Sequence, residues 1–76
     1  MNFKELREYL ADQDKPFLLR ASTLISQNLT LGVRVSLGEV FLKAVTTEER
    51  NRFEGKISEI EGLMQAWRAR IDANQN

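Results

Sequence analysis

The spacing of apolar residues in the second half of the chain predicts one long helix. Between Arg52 and Ile71 the large apolar side chains recur at steps of four and three residues, which is the spacing of one helix face. Two glutamates near the start and two arginines near the end suit the helix dipole. We therefore predict a helix over residues 47–73 and a frayed tail over residues 72–76. The apolar residues of this helix form a seam, defined as Phe53, Ile57, Ile60, Met64, Trp67 and Ile71.

Two shorter helices are predicted in the first third of the chain. Asn2 and Glu5 have capping-box spacing ahead of an apolar face, which predicts a helix over residues 3–12. Pro16 suits the first turn of a helix, and the apolar residues after it predict a second helix over residues 16–27. Neither helix is long enough to be stable alone, so each must pack on something. The apolar residues of the second helix are Phe17, Leu18, Ala21, Leu24 and Ile25.

The middle of the chain follows a different pattern. Residues 29–37 alternate strictly between apolar and other side chains, and two of the apolar ones are valines, which is typical of a strand. We predict an extended segment over residues 29–35. A strand there would have to pair with a second copy across a dimer axis, because the chain has no second segment of this type. Ser36 and Glu39 then have capping-box spacing and predict a helix over residues 37–45.

Thr46 and Glu49 form another capping box ten residues after the one at Ser36. It favours a break at Val45–Thr46 over a single bent helix, because threonine prefers caps to helix interiors. Together the elements predict an all-α fold in one domain, residues 1–76. We expect a small bundle of three to four helices whose C-terminal helix is the longest.

The seam has short heptad spacing, so some other surface must cover it. An amphipathic helix usually buries its stripe in its own domain, and we favour that outcome for the inner half of the seam. Otherwise a second chain covers it. In that case all six seam residues are interface candidates, and Trp67, Met64 and Phe53 are the main contacts, since aromatic residues and methionine are enriched at interface cores.

Two glycines lie on the side of this helix opposite the seam. Gly55 and Gly62 are seven residues apart, and a glycine inside a helix costs roughly 0.5–1 kcal/mol relative to alanine. They indicate either close approach by another backbone or, at Gly55, the end of one helix and the start of another. Both interpretations stay open. In the first, Gly55 and Gly62 belong to the partner interface.

Composition narrows the classes of function. The 76 residues include 11 basic and 11 acidic side chains, no cysteine and no histidine. One core of this size seldom supplies more than about 3–5 kcal/mol, so we expect self-association as a dimer or larger. Without cysteine, histidine or a phosphate-binding loop, the sequence gives no support for an enzyme, a metal site or a cofactor. The chain shows no signal sequence and no apolar run long enough for a membrane helix, which predicts a cytoplasmic protein without membrane contact.

The leading hypothesis is a small non-enzymatic protein–protein interaction module that self-associates. It would act as an adaptor, an assembly factor or an inhibitor by occlusion, and its working surface would be either the seam or the apolar face of the helix at residues 3–12. Its compact size resembles that of accessory proteins from phages and mobile elements. Zero net charge argues against a nucleic-acid partner. The segment "WRAR" at Trp67 is therefore assigned to a core tryptophan beside arginines at a helix C-terminus.

An alternative hypothesis rests on the segment "TLGVRVSLGEVFLKAV", where a strand pattern runs directly into a capped helix. It resembles the ribbon–helix–helix family, with "EGKISEIEGLMQAWRARI" as the second helix. The resemblance covers about half the chain and implies a dimeric DNA-binding regulator whose outward strand residues enter the major groove. Those residues would be Thr30, Gly32, Arg34 and Ser36. This sequence departs from the family pattern because its strand is not N-terminal and lies farther from the second helix.

Overall fold

The computed structural model describes residues 1–74, which form five helices packed around one core. The predicted all-α bundle is confirmed, with five helices in place of three to four. The last helix continues to Asn74, while residues 75 and 76 lie outside the described part, and the frayed tail at 72–76 stays a prediction. The helices are α1 Phe3–Ala11, α2 Phe17–Ser26, α3 Leu31–Ala44, α4 Thr47–Arg52 and α5 Glu54–Asn74.

Local capping explains where the first helices begin. The side-chain oxygen of Asn2 accepts a hydrogen bond of 2.8 Å from the backbone N–H of Glu5, which satisfies a free donor at the start of α1. Pro16 precedes α2 as its N-cap residue, with the extended ψ of 135° that residues at this position usually adopt. The predicted helices at 3–12 and 16–27 are therefore confirmed to within one residue at each end.

The extended segment predicted over residues 29–35 is wrong for residues 31–35, because α3 covers residues 31–44. The Ser36–Glu39 cap is also wrong, since both residues lie inside that helix. Helix α3 packs against α5, α1 and α2, so several of its sides face other helices. Residues two apart point to nearly opposite sides of a helix, and here both sides find apolar neighbours. Partial burial of Val33 and Val35 in the core outweighs their weak preference for strands.

The break predicted at Val45–Thr46 is confirmed. Thr46 Oγ1 accepts a hydrogen bond from the backbone N–H of Glu49, and the Glu49 carboxylate accepts one from the N–H of Thr46. The predicted continuous helix from 47 to 73 is interrupted at Phe53, whose φ of −116° and ψ of 34° leave the helical range. The interruption falls two residues before Gly55.

The core lies along the inner side of the α3–α5 pair and is closed by α1 and α2. Each of these four helices contributes at least one large buried residue to the core, whereas α4 contributes none. The buried residues of the cluster are Leu6, Leu10, Phe17, Ala21, Leu24, Leu37, Phe41, Ile57, Ile60, Met64 and Trp67.

Candidate protein-interaction site

Helix α2 buries Phe17, Ala21 and Leu24 as a surface helix usually does, but four of its other residues depart from that arrangement. Its one charged residue, Arg20, is fully buried, with 0% of its surface exposed. Leu18, Leu19 and Ile25 remain 53%, 51% and 36% exposed. They are three of the five exposed large apolar residues in the described part of the chain. A surface helix normally turns its apolar stripe inward and its charges outward, so this outer face lacks its expected cover.

Arg20 fixes which side of α2 faces inward. Its guanidinium donates hydrogen bonds to the backbone oxygens of Lys15 at 3.1 Å and Leu10 at 3.3 Å. It also donates to the Glu49 carboxylate at 2.6 Å, and it lies 5.5 Å from the ring centroid of Phe41. A buried guanidinium needs such partners, because an unpaired buried charge is strongly unfavourable. Four contacts from one side chain hold α2 in the rotation that leaves Leu18, Leu19 and Ile25 outside.

Glu49 serves both this ion pair and the start of α4. Burial by itself raises the pKa of the Glu49 carboxyl, but the hydrogen bonds from Thr46 and Arg20 and the Arg20 charge favour the ionised form. Their combined effect is larger, so the pKa of Glu49 lies below its ordinary value. The carboxylate is therefore ionised at neutral pH and ties α2 to the α3–α4 junction.

An open groove of about 490 Å³ runs beside the exposed face of α2. Its far edge belongs to the first turns of α5, where Lys56 and Glu59 form an ion pair of 2.8 Å with each other. The groove therefore has an uncharged side on α2 and a side on α5 that carries one charge of each sign. Its lining residues are Leu18, Ser22, Ile25, Ser26, Lys56 and Glu59.

The seam predicted as a partner interface is mostly covered by the chain itself. Ile57, Ile60, Met64 and Trp67 are buried in the core, as favoured for its inner half, so their side chains are closed to a partner in this fold. The two ends are partly buried. Phe53 stacks on Phe17, with ring centroids 4.5 Å apart and planes at 6°, and Ile71 lies near the end of α5.

The two glycines predicted to admit another backbone are open. Within the described residues, a Cβ atom added at Gly55 or Gly62 would meet nothing within 4 Å. The glycine that does adjoin a neighbour is Gly38 in α3, where an added Cβ would lie 2.6 Å from the Met64 Sδ. Gly38 follows the predicted strand and gave no signal of its own, because its neighbour Met64 is distant in the sequence.

The residues assigned to nucleic-acid contact do not form a ribbon. Thr30 is the N-cap of α3, while Arg34 and Ser36 lie within that helix. The guanidinium carbon of Arg34 lies 5.8 Å from the centroid of a Trp67 ring, and its buried Nε has no hydrogen-bond partner in the described residues. The groove-facing strand implied by the family resemblance is thus replaced by a helix.

Sequence patterns did not mark the face that the structure leaves uncovered. Leu18 and Ile25 share helical spacing with three residues that are buried, so all five were assigned to one stripe. The available signal was charge: Arg20 is the only charged residue between Pro16 and Val33. With one charge and three short polar residues, Ser22, Thr23 and Ser26, the helix cannot fill its outer side with polar side chains, which indicates that some of its apolar residues stay outside.

Among residues 1–74, there is no group of three or more acidic side chains arranged to hold a metal ion. No helix in the same range is both long enough and apolar enough to cross a membrane. Comparison of the chain with protein-family models, curated proteins and solved structures gives no match.

Proposed function

We propose that this chain is a small non-enzymatic protein–protein interaction module whose working surface is the outer face of α2. The observation that carries the proposal is the exposure of Leu18, Leu19 and Ile25 on a helix whose one charged residue, Arg20, is buried. An adaptor, an assembly factor and an inhibitor by occlusion all need such a face and no reaction centre. We further propose that the module self-associates. We also propose that it works in the cytoplasm, because the chain has no cysteine.

Burial of the seam supports this location of the surface. A binding module must offer apolar area that is free in its folded state, and contiguous exposed apolar area on a soluble chain marks an interaction site. The seam interior lacks free area, since Ile57, Ile60, Met64 and Trp67 are in the core. The outer face of α2 has such area and carries no charge that a partner would have to desolvate.

The proposal is tested by placing one charge on this face. Wild-type protein and the Leu19→Glu variant are used as baits in a lysate of the source organism, and retained proteins are identified by mass spectrometry. The matched control is Ser58→Glu, which adds the same charge at an exposed position of α5. We expect Leu19→Glu to abolish association, either with host proteins or with tagged copies of the chain, and Ser58→Glu to preserve it. The proposal would be refuted if Leu19→Glu left association unchanged or if the wild-type chain showed no association.

A further inference from the structure

We infer that the partner of the α2 face is a second copy of this chain, packed antiparallel about a two-fold axis that passes near Ser22. The inference rests on the proposed function, because it names the occupant of the same surface. Three features of that surface support it: the order of large and small residues along α2, the two charges beside the groove, and the size of the face.

The outer face of α2 has large residues at both ends and a small one between them. Leu18 and Leu19 lie at one end, Ile25 at the other, and Ser22 in the middle. When two such helices cross antiparallel, the leucines of each copy meet Ile25 of the other, while Ser22 meets its own equivalent. A small residue at the crossing point lets the helix axes approach to about 8–10 Å.

The charges beside the groove are complementary to themselves under the same symmetry. Leu18 lines this groove and also the cleft that contains Phe53, so the Leu18 end of α2 lies beside the start of α5. Lys56 and Glu59 follow in the first turns of α5, and both line the groove beside α2. A two-fold axis perpendicular to α2 reverses the order of these two charges along the groove, which places Lys56 of each copy opposite Glu59 of the other. A parallel arrangement would not bring these opposite charges together.

The face also has the composition of an interface of modest size. A standard interface takes about 800 Å² from each partner, which is roughly one sixth of the 5019 Å² surface of this chain. The exposed aliphatic residues supply an apolar centre, and Lys56 and Glu59 supply a charged rim. Because two helices and one groove edge form a small contact, we expect a reversible dimer with a micromolar dissociation constant.

The charge pairing is tested by sedimentation equilibrium on charge-reversal variants of the full chain. In a dimer of Lys56→Glu or of Glu59→Lys, both intermolecular ion pairs become contacts between like charges. We expect either substitution to weaken the dimer by about tenfold, because each exposed pair contributes little by itself. An equimolar mixture has opposite charges at both places, so it should form a heterodimer at wild-type strength. A mixture that associates no better than its components would overturn the antiparallel arrangement.

The position of the axis is tested by cysteine cross-linking, for which the cysteine-free chain needs no background substitutions. With oxidised glutathione as the oxidant, Ser22→Cys should form a disulfide-linked dimer, because the Cα atoms at the axis fall within the roughly 4.4–6.8 Å that a disulfide requires. Ser58→Cys on α5 is the control and should remain monomeric. Equal cross-linking by Ser58→Cys would assign the dimer to α5 and overturn the inference.

Failure of this inference can be told apart from failure of the proposed function. A wild-type chain that stays monomeric up to sub-millimolar concentration would exclude the second copy as the occupant. If the same chain still retains host proteins that the Leu19→Glu bait loses, the interaction module stands with a different partner.

Discussion

The inner side of α5 and the outer side of α2 carry the same kind of residue with opposite outcomes. On α5, Ile57 and Ile60 repeat at helical spacing and are buried against the chain itself. On α2, Leu18 and Ile25 also repeat at helical spacing, yet water reaches them. Periodicity therefore identifies a helix face but leaves open what covers it. The cover depends on which helices the topology brings alongside, and α3 lies along α5.

Charge explains why α2 does not turn Leu18 and Leu19 inward. Rotating the helix to bury them would move Arg20 away from Glu49 and from the two backbone oxygens that it contacts. The buried ion pair therefore selects the orientation of α2 in which Leu18, Leu19 and Ile25 are exposed. The comparison separates residues that stabilise the fold from residues that are available to a partner.

The largest expected change in the free energy of unfolding appears when one aliphatic side chain is truncated on the inner side of α5. The same truncation on the outer side of α2 is the comparison. Ile60→Ala should lower the free energy of unfolding by about 2–5 kcal/mol, since Ile60 is fully buried. Leu19→Ala should change it by less than about 0.5 kcal/mol, as is usual for exposed positions. Urea unfolding followed by circular dichroism measures both, at a concentration where wild type is monomeric. Equal losses would show that the two surfaces do not differ as described.

The Arg20–Glu49 pair gives the next largest effect. Glu49→Gln removes the charge that faces the buried guanidinium and should cost about 1.5–3 kcal/mol at neutral pH, the range for hydrogen bonds to charged groups. Because the pKa of Glu49 is lower in the folded chain, its stabilisation is complete above the ordinary value of 4.5 and is lost as the pH falls through the folded value.

Unfolding of the wild type and of Glu49→Gln should therefore converge on acidification. Urea unfolding at neutral pH and at several values below 4.5 measures the difference between the two chains. Other carboxyl groups titrate in both, so the difference isolates Glu49. A constant difference across that range would contradict the role assigned to this carboxylate in holding α2.

Features that depend on neighbours in the sequence were predicted, and features that depend on distant neighbours were not. The caps at Asn2 and Thr46 act over three residues, so the sequence pattern contains both partners of each hydrogen bond. The class of fold and the ends of α1 and α2 follow from such signals.

The errors share a different cause. Val33 and Val35 alternate like a strand, and only their packing in the core makes the segment helical. The inward direction of Arg20 depends on partners up to 29 residues away, so the exposed face of α2 and with it the candidate site could not be located beforehand. The sequence pattern identified the seam correctly as an apolar face. Deciding whether that face packs in the core or binds a partner requires the position of α3.

The smallest expected change in the free energy of unfolding concerns two helical glycines. Gly38 of α3 faces the inner side of α5, and Gly62 lies on the open side of α5. Gly62→Ala should raise the free energy of unfolding by about 0.5–1 kcal/mol, because alanine favours the helix and no described atom lies near the added Cβ. Gly38→Ala gains the same preference, but its Cβ would lie 2.6 Å from the Met64 Sδ. Overpacking there costs about 1–3 kcal/mol, so the net change should be a loss of about 1 kcal/mol. Urea unfolding again measures both variants. If both alanines stabilised the chain equally, the Met64 side chain would have moved away from the added Cβ at no cost, which would contradict tight packing between α3 and α5 at Gly38.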